Sequence, residues 1–157
     1  MSDARTTRGS LPLSGGCQCG RIRYEITEEP LTLYACHCTE CQRQSGSGHG
    51  LSMPVLRAGL RLLSGEPRSW RRTSDSGRDV DCVFCGDCGT RLFHLPSRNP
   101  RVANVKPGTL DDTRWLRPVG HLWTGSAQPW VSIADDALAW EGQPDDFSPL
   151  FEAWKVR

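Results

Sequence analysis

The chain lacks any long apolar run. Its longest uncharged apolar stretches fall far short of the ~20 residues a membrane-crossing helix needs, which excludes a transmembrane segment. The N-terminus, Met1 to Ser14, has no apolar core of the kind a secretory signal carries, so none is expected. An excess of one charge is also missing. Nineteen Lys and Arg face 18 Asp and Glu for a net charge of +1, which gives no general attraction to nucleic acid or anionic lipid. Neither a membrane nor a nucleic acid is an expected partner. Familiar catalytic signatures are absent as well. There is no His-Glu-x-x-His, no His-x-Glu with a downstream proline-cysteine pair and no glycine-rich phosphate loop. Helix signals are few.

What the chain does have is eight cysteines in short clusters. The first runs Gly16-Cys17-Gln18-Cys19-Gly20, followed by Cys36-His37-Cys38-Thr39-Glu40-Cys41. The second is Cys82-Val83-Phe84-Cys85-Gly86-Asp87-Cys88-Gly89. A disulfide framework is the competing reading. It fits poorly, because a chain of 157 residues buries a core without staples and Cys17 and Cys19 are too close to pair easily. Thiolates one or two residues apart beside glycine suit a tetrahedral zinc ion, since small residues let the backbone turn so that adjacent sulfurs meet. A reducing, cytoplasmic location follows from that choice.

The remaining pattern is mostly β. Residues 1–13 are polar and aperiodic and read as a disordered tail, leaving residues 14–157 as one domain. Ile22, Tyr24 and Ile26 alternate with Arg21, Arg23 and Glu25, as in a half-buried strand. Further strands are expected at Leu31 to Ala35, around Leu60 and Leu62, at Val80 to Phe84, Arg91 to Leu95, Val102 to Val105 and His121 to Trp123. Turns are expected at Ser64-Gly65-Glu66-Pro67 and Asp75-Ser76-Gly77. Arg68-Ser69-Trp70-Arg71-Arg72 reads as the solvated face of an edge strand. Sixteen glycines and eleven prolines punctuate the chain at short intervals, which indicates a mainly antiparallel β fold. Thr39-Glu40-Cys41-Gln42 matches a capping box that opens a helix of at most two turns, and Ser148-Pro149 opens a second helix over Leu150 to Val156.

Two metal sites with different roles emerge. Cys17, Cys19, Cys85 and Cys88 form two short-spaced pairs separated by a long segment, the usual arrangement of a closed structural zinc site. Cys36 and Cys38 point to one face of an extended segment, and Cys41 returns in the first turn of the helix. Three sulfurs can meet one ion there with the fourth position open, the mark of a reactive site. The alternative is a second closed site completed by Cys82, His37 or His49. Three thiolates make zinc a weak Lewis acid for water and a better partner for an incoming thiol.

The motifs carry a resemblance. Gly15 to Tyr24, Cys36 to Arg43 and Phe84 to Thr90 occur in the order found in the glutathione-dependent formaldehyde-activating enzymes, a family that includes centromere protein V. Gly108 to Asp112, His121-Leu122-Trp123 and Trp130 resemble its C-terminal half. The resemblance implies a small zinc-stabilised β fold called a β-tent, with one or two short helices. It implies a structural zinc on Cys17, Cys19, Cys85 and Cys88 and a second zinc at Cys36, Cys38 and Cys41, where the chemistry occurs. The implied activity is a carbon–sulfur lyase reaction in reverse, joining formaldehyde to glutathione as co-substrate. A non-catalytic zinc scaffold and a thiol redox switch on Cys36, Cys38 and Cys41 are the alternatives. Cys82 has no place in the family pattern and reads as a buried packing thiol. His49 is a candidate for proton transfer, Arg43 or Arg91 for glutathione carboxylates, and Trp115, Trp123, Trp130 and Trp140 for the core.

Overall fold

The computed structural model describes residues 8–73 and 77–157. Residues 1–7 of the expected tail, and Asp75 and Ser76 of the expected turn, lie outside the described residues. The elements in chain order are β1 (Leu13–Gly16), β2 (Arg23–Ile26), β3 (Tyr34–Cys36), α1 (Thr39–Ser45), β4 (Gly50–Leu56), β5 (Leu60–Ser64), β6 (Arg68–Thr73), β7 (Asp79–Phe84), β8 (Arg91–Pro96), β9 (Val102–Val105), β10 (Gly120–Leu122), β11 (Leu138–Ala139) and α2 (Ser148–Lys155). The fold is mainly β with two short helices, and among the described residues no helix is long and apolar enough to cross a membrane. Two compact units divide it. One comprises the chain up to Glu29 with Val55–Arg117, the other Pro30–Pro54 with Pro118–Arg157.

In the first unit β1, β2 and β5 form an antiparallel sheet, and β9, β8, β7 and β6 pair antiparallel in that order. The alternation read around Tyr24 is real: Tyr24 and Ile26 are fully buried while Arg23 and Glu25 keep partial exposure. Full burial of each large apolar side chain contributes roughly 1.5–3 kcal/mol, so a four-residue strand is anchored by two of them. Tyr24 meets Phe93 edge-on at 5.6 Å, and its hydroxyl lies 2.6 Å from Thr109 Oγ1. β6 is an edge strand whose residues are mostly exposed, as its charges suggested, and Arg71 pairs with Asp81 on β7 at 2.8 Å. Exposed pairs of this kind contribute about 1 kcal/mol at most, so the burial of Tyr24, Ile26 and Leu92 holds the unit together. Cys82 is buried on β7 between Trp70 and His94, the packing thiol the alternation implied.

The second unit orders its strands β11-β10-β3-β4. β3 and β4 are antiparallel, but β10 runs parallel to both β3 and β11. Those two parallel pairings are the exceptions in a mainly antiparallel fold, and nothing local in the three-residue β3 encodes a partner over 80 positions away in β10. Tyr34, Cys36, Leu122 and Leu150 form the core, with Cys38, Cys41, Trp140 and Phe147 packed against it. The C-terminal helix carries its proline in the first turn, but Ser148 is not the cap. Phe147 occupies that position, and Asp146 Oδ1 accepts from the Ser148 backbone N–H at 2.9 Å and hydroxyl at 2.7 Å.

His94 on β8 gives the first unit a pH dependence. Burial, then the nearby Lys106, Arg91 and Arg72, push its pKa down to about 2. Below about pH 6.5 the unfolded chain takes up a proton that the folded chain refuses. Stability therefore falls with falling pH from that point, with a slope of up to about 1.4 kcal/mol per pH unit from this residue. Thermal melts between pH 7.5 and 5 should show His94→Gln losing stability less steeply than wild type. Parallel slopes would contradict a buried neutral His94.

Candidate metal centres

Two tight turns built alike supply the first set of sulfurs. In one, the Cys17 N–H donates to the Ile22 carbonyl at 3.0 Å and the Gly20 N–H to the Cys17 carbonyl at 3.0 Å. In the other, the Cys85 N–H donates to the Thr90 carbonyl at 2.9 Å and the Gly89 N–H to the Cys85 carbonyl at 2.8 Å. Each turn closes on a glycine in the left-handed region, Gly20 at φ +79° and Gly89 at φ +77°, where a side chain would be strained. The Gln18 N–H donates to Thr90 Oγ1 at 3.0 Å and joins the two turns.

The four sulfurs of Cys17, Cys19, Cys85 and Cys88 all lie within 4.8 Å of one another. Cys17 and Cys19 are 3.5 Å apart, Cys19 and Cys85 3.7 Å. Four sulfurs about 2.3 Å from a tetrahedral zinc are about 3.8 Å from each other, whereas a disulfide requires about 2.05 Å. All eight cysteines are free. Cys17 Sγ accepts from the Ile22 N–H at 3.2 Å, and Cys88 Sγ lies 3.2 Å from the Thr90 hydroxyl, which favours its thiolate and lowers its pKa to about 5. Cys19 also has a backbone N–H that favours its thiolate, from Arg21, but Cys17, burial, Cys88 and Cys85 together outweigh it and the pKa rises to about 12. Four thiolates so close need a cation to coexist, and this donor set fits zinc.

The second set is Cys36, Cys38 and Cys41, again within 4.8 Å of one another. Cys36 ends β3 and is buried in the core of its unit, while Cys38 and Cys41 are half-exposed. Contact with Cys38 and Cys41, together with burial, pushes the Cys36 thiol far above its ordinary range, so these three sulfurs also fit a soft cation. Among the described residues no fourth Cys, His, Asp or Glu joins the set. The capping box differs from expectation: Cys38, not Thr39, caps α1, and its sulfur accepts from the Cys41 N–H at 3.3 Å. A cysteine of the set thus doubles as the helix cap.

His37 turns away from the sulfurs, and Cys82 belongs to neither set. His37 Nε2 lies 2.9 Å from His121 Nδ1, its ring stacks on that of His121 at 5.2 Å, and the His49 ring tilts against it at the same separation. Burial, then the His121 and His49 rings, lower the pKa of His37 to about 4, leaving it neutral near pH 7. His49 therefore sits in a ring cluster, not in an open loop. Gln42, expected to reach back to the helix start, instead donates from Nε2 to the His37 carbonyl at 2.7 Å and the Ser126 carbonyl at 2.9 Å. The Ser126 hydroxyl donates to the same His37 carbonyl at 2.9 Å. The peptide between Cys36 and Cys38 is thereby held from two sides.

Sequence reasoning missed the pairing of His121 with His37, the roles of Ser126 and Gln128, and the exposure of two tryptophans. Trp115 is buried as expected, but Trp123 is 39% and Trp130 71% exposed. Trp123 also adopts φ +60°, uncommon for a bulky residue, at the start of the 3₁₀ turn that carries Ser126. His121-Leu122-Trp123 stood out as a motif, yet its role depends on a strand pairing that spacing does not disclose.

A family model described as glutathione-dependent formaldehyde-activating enzyme matches residues 12–126. The chain belongs to that family. The matched span contains both cysteine sets together with His37, His49 and His121. A crystal structure of a Rhodobacter sphaeroides protein is similar with a TM-score of 0.53 and 21% identity, covering 64% of this chain and 90% of that one. That likeness concerns the fold.

Substitutions should separate the two sets. Structural zinc sites contribute on the order of 10–16 kcal/mol, comparable to or larger than the ~5–15 kcal/mol stability of a whole domain. Cys88→Ser should therefore give unfolded or insoluble protein, whereas Cys38→Ser should stay folded and keep about one metal equivalent instead of two. Circular dichroism and elemental analysis report both. Equal disruption by Cys38→Ser would make the second set structural.

Proposed function

We propose that the chain is a zinc-dependent carbon–sulfur lyase-type enzyme or carrier that handles glutathione adducts of formaldehyde or a similar small aldehyde. Cys17, Cys19, Cys85 and Cys88 hold a structural zinc, and Cys36, Cys38 and Cys41 hold a second. Family membership supports the reaction class. The single observation that carries the assignment to the second set is its three converging sulfurs, which no fourth ligand joins among the described residues.

Zinc bound there would supply a soft cation that favours the ionised form of an arriving thiol. The chain's own residues set the rest. Cys36 is fixed in the core, while Cys38 and Cys41 face outward on the cap and first turn of α1. His37, neutral and facing His121, adds no positive charge, so three thiolates and one zinc leave one net negative charge. That charge disfavours hydroxide and leaves a soft, polarisable sulfur as the better fourth partner. In the condensation a sulfur–carbon bond forms, the aldehyde carbon–oxygen π bond breaks, and the proton of the thiol ends on the new hydroxyl. The reverse reaction releases aldehyde and thiol.

Cobalt-substituted protein makes the site visible through thiolate-to-metal absorption. Glutathione should change the bands of the second site, spare those of the first, and bind in the micromolar-to-millimolar range of a small flexible ligand. S-methylglutathione should leave the spectrum unchanged, since its sulfur cannot ionise. An identical response to both would refute direct thiolate ligation, and no response to any small thiol would favour a non-catalytic scaffold.

A further inference from the structure

The near-zero net charge of the chain conceals a segregation by unit. The first unit, the chain up to Glu29 with Val55–Arg117, carries 16 Lys and Arg against 11 Asp and Glu, a net +5. The second, Pro30–Pro54 with Pro118–Arg157, carries 3 against 7, a net −4. Zinc-bound thiolate sets would make both values more negative and leave the signs opposed. Between two copies, like units therefore repel and unlike units attract.

Each unit also ends in a strand with one open edge. β6 pairs only with β7, and β11 only with β10. β6 bears Arg68, Arg71 and Arg72 and no acidic residue. On one of its faces Trp70, 55% exposed, stands between Arg68 and Arg72. Arg68 is exposed and makes no ion pair among the described residues. At the other edge Asp135, Asp136 and Glu141 are exposed and make none either. Asp136 lies two residues before β11 and Glu141 two after it. Charges on an edge strand ordinarily keep it from pairing. They do so here against the same edge of another copy, since an antiparallel β6–β6 pair centred on Trp70 sets Arg68 opposite Arg72. Against β11 the arginines meet carboxylates instead.

We propose that the chain self-associates head to tail, the basic edge of β6 in one copy adding to the acidic edge at β11 of the next. The outward N–H and C=O groups of the two edges form the ladder, the charges set its polarity, and Trp70 is its apolar anchor. β11 is two residues long, so the contact is small and weak, on the order of micromolar at low salt. It is heterologous, so each added copy leaves a basic and an acidic edge for the next unless a ring closes. It involves none of the cysteines and stands apart from the thiol chemistry.

Sedimentation velocity of the full chain tests this. Mass should rise with concentration at about 50 mM salt, and the apparent affinity should fall at least about tenfold at about 500 mM. Arg68→Glu/Arg71→Gln should be monomeric, and so should Asp135→Lys/Asp136→Lys. Circular dichroism should show both folded, since all four side chains are exposed. Mixed in equal amounts, the two variants should associate again, because each keeps the edge the other has lost. A contact between two like surfaces does not give that rescue. A wild type that stays monomeric at about 50 mM salt overturns the proposal and leaves the basic edge to a different anionic partner. Association that survives both charge variants, or a mixture as monomeric as its components, overturns it too.

Discussion

Mutual repulsion among crowded thiolates is the constraint on which the rest of the structure depends. Four sulfurs within 4.8 Å in one unit and three in the other are stable as a set only when protons or a cation occupy the space between them. Protons would leave the sulfurs as thiols at near-contact distance, held together by backbone turns that have little other purpose. A soft divalent cation removes the repulsion and converts the crowding into attraction. The paired turns at Cys17–Gly20 and Cys85–Gly89, with their left-handed glycines, are geometric devices that serve this convergence. So is the use of a cysteine as the cap of α1.

The two sets differ in what surrounds them. The first joins two short turns far apart in sequence, and its four sulfurs match the donor count of a closed tetrahedral site. Under the proposed reading its contribution goes into folding. The second sits at the end of a buried strand, with Cys36 in the core and its two partners at the surface. Beside it, Gln42 and Ser126 both bind the His37 carbonyl, His37 faces His121, and the Cys41 N–H donates to the Cys38 sulfur. Among the described residues no fourth donor joins the three sulfurs, and the proposed reactive role rests on that difference from the first set.

The cysteine sets, the strand around Tyr24, the edge strand at Arg68 to Arg72 and the buried Cys82 were legible in the sequence because each has a local signature. Spacing places sulfurs, alternation places faces, and a basic run marks a solvated edge. What escaped depends on partners distant in sequence. β3 is three residues long and buried throughout, so it has no alternation to read, and its parallel pairing with β10 brings His121 to His37. Gln42 satisfied a local capping pattern, yet the competing carbonyls of His37 and Ser126 took its amide, and Cys38 took the cap. The tryptophans were misplaced for a related reason. Composition sends an indole to the core, but Trp123 and Trp130 lie on the turns that follow β10 and stay exposed.

The central claim is that the cysteines act as two sulfur-rich metal centres. X-ray absorption at the zinc edge on protein purified under reducing conditions tests it most directly. The account predicts about two zinc ions per chain with a shell dominated by sulfur at about 2.3 Å and at most one lighter ligand, confined to the second site. A single zinc with the thiols of Cys36, Cys38 and Cys41 free, or a shell rich in imidazole nitrogen at about 2.0–2.1 Å, would contradict it.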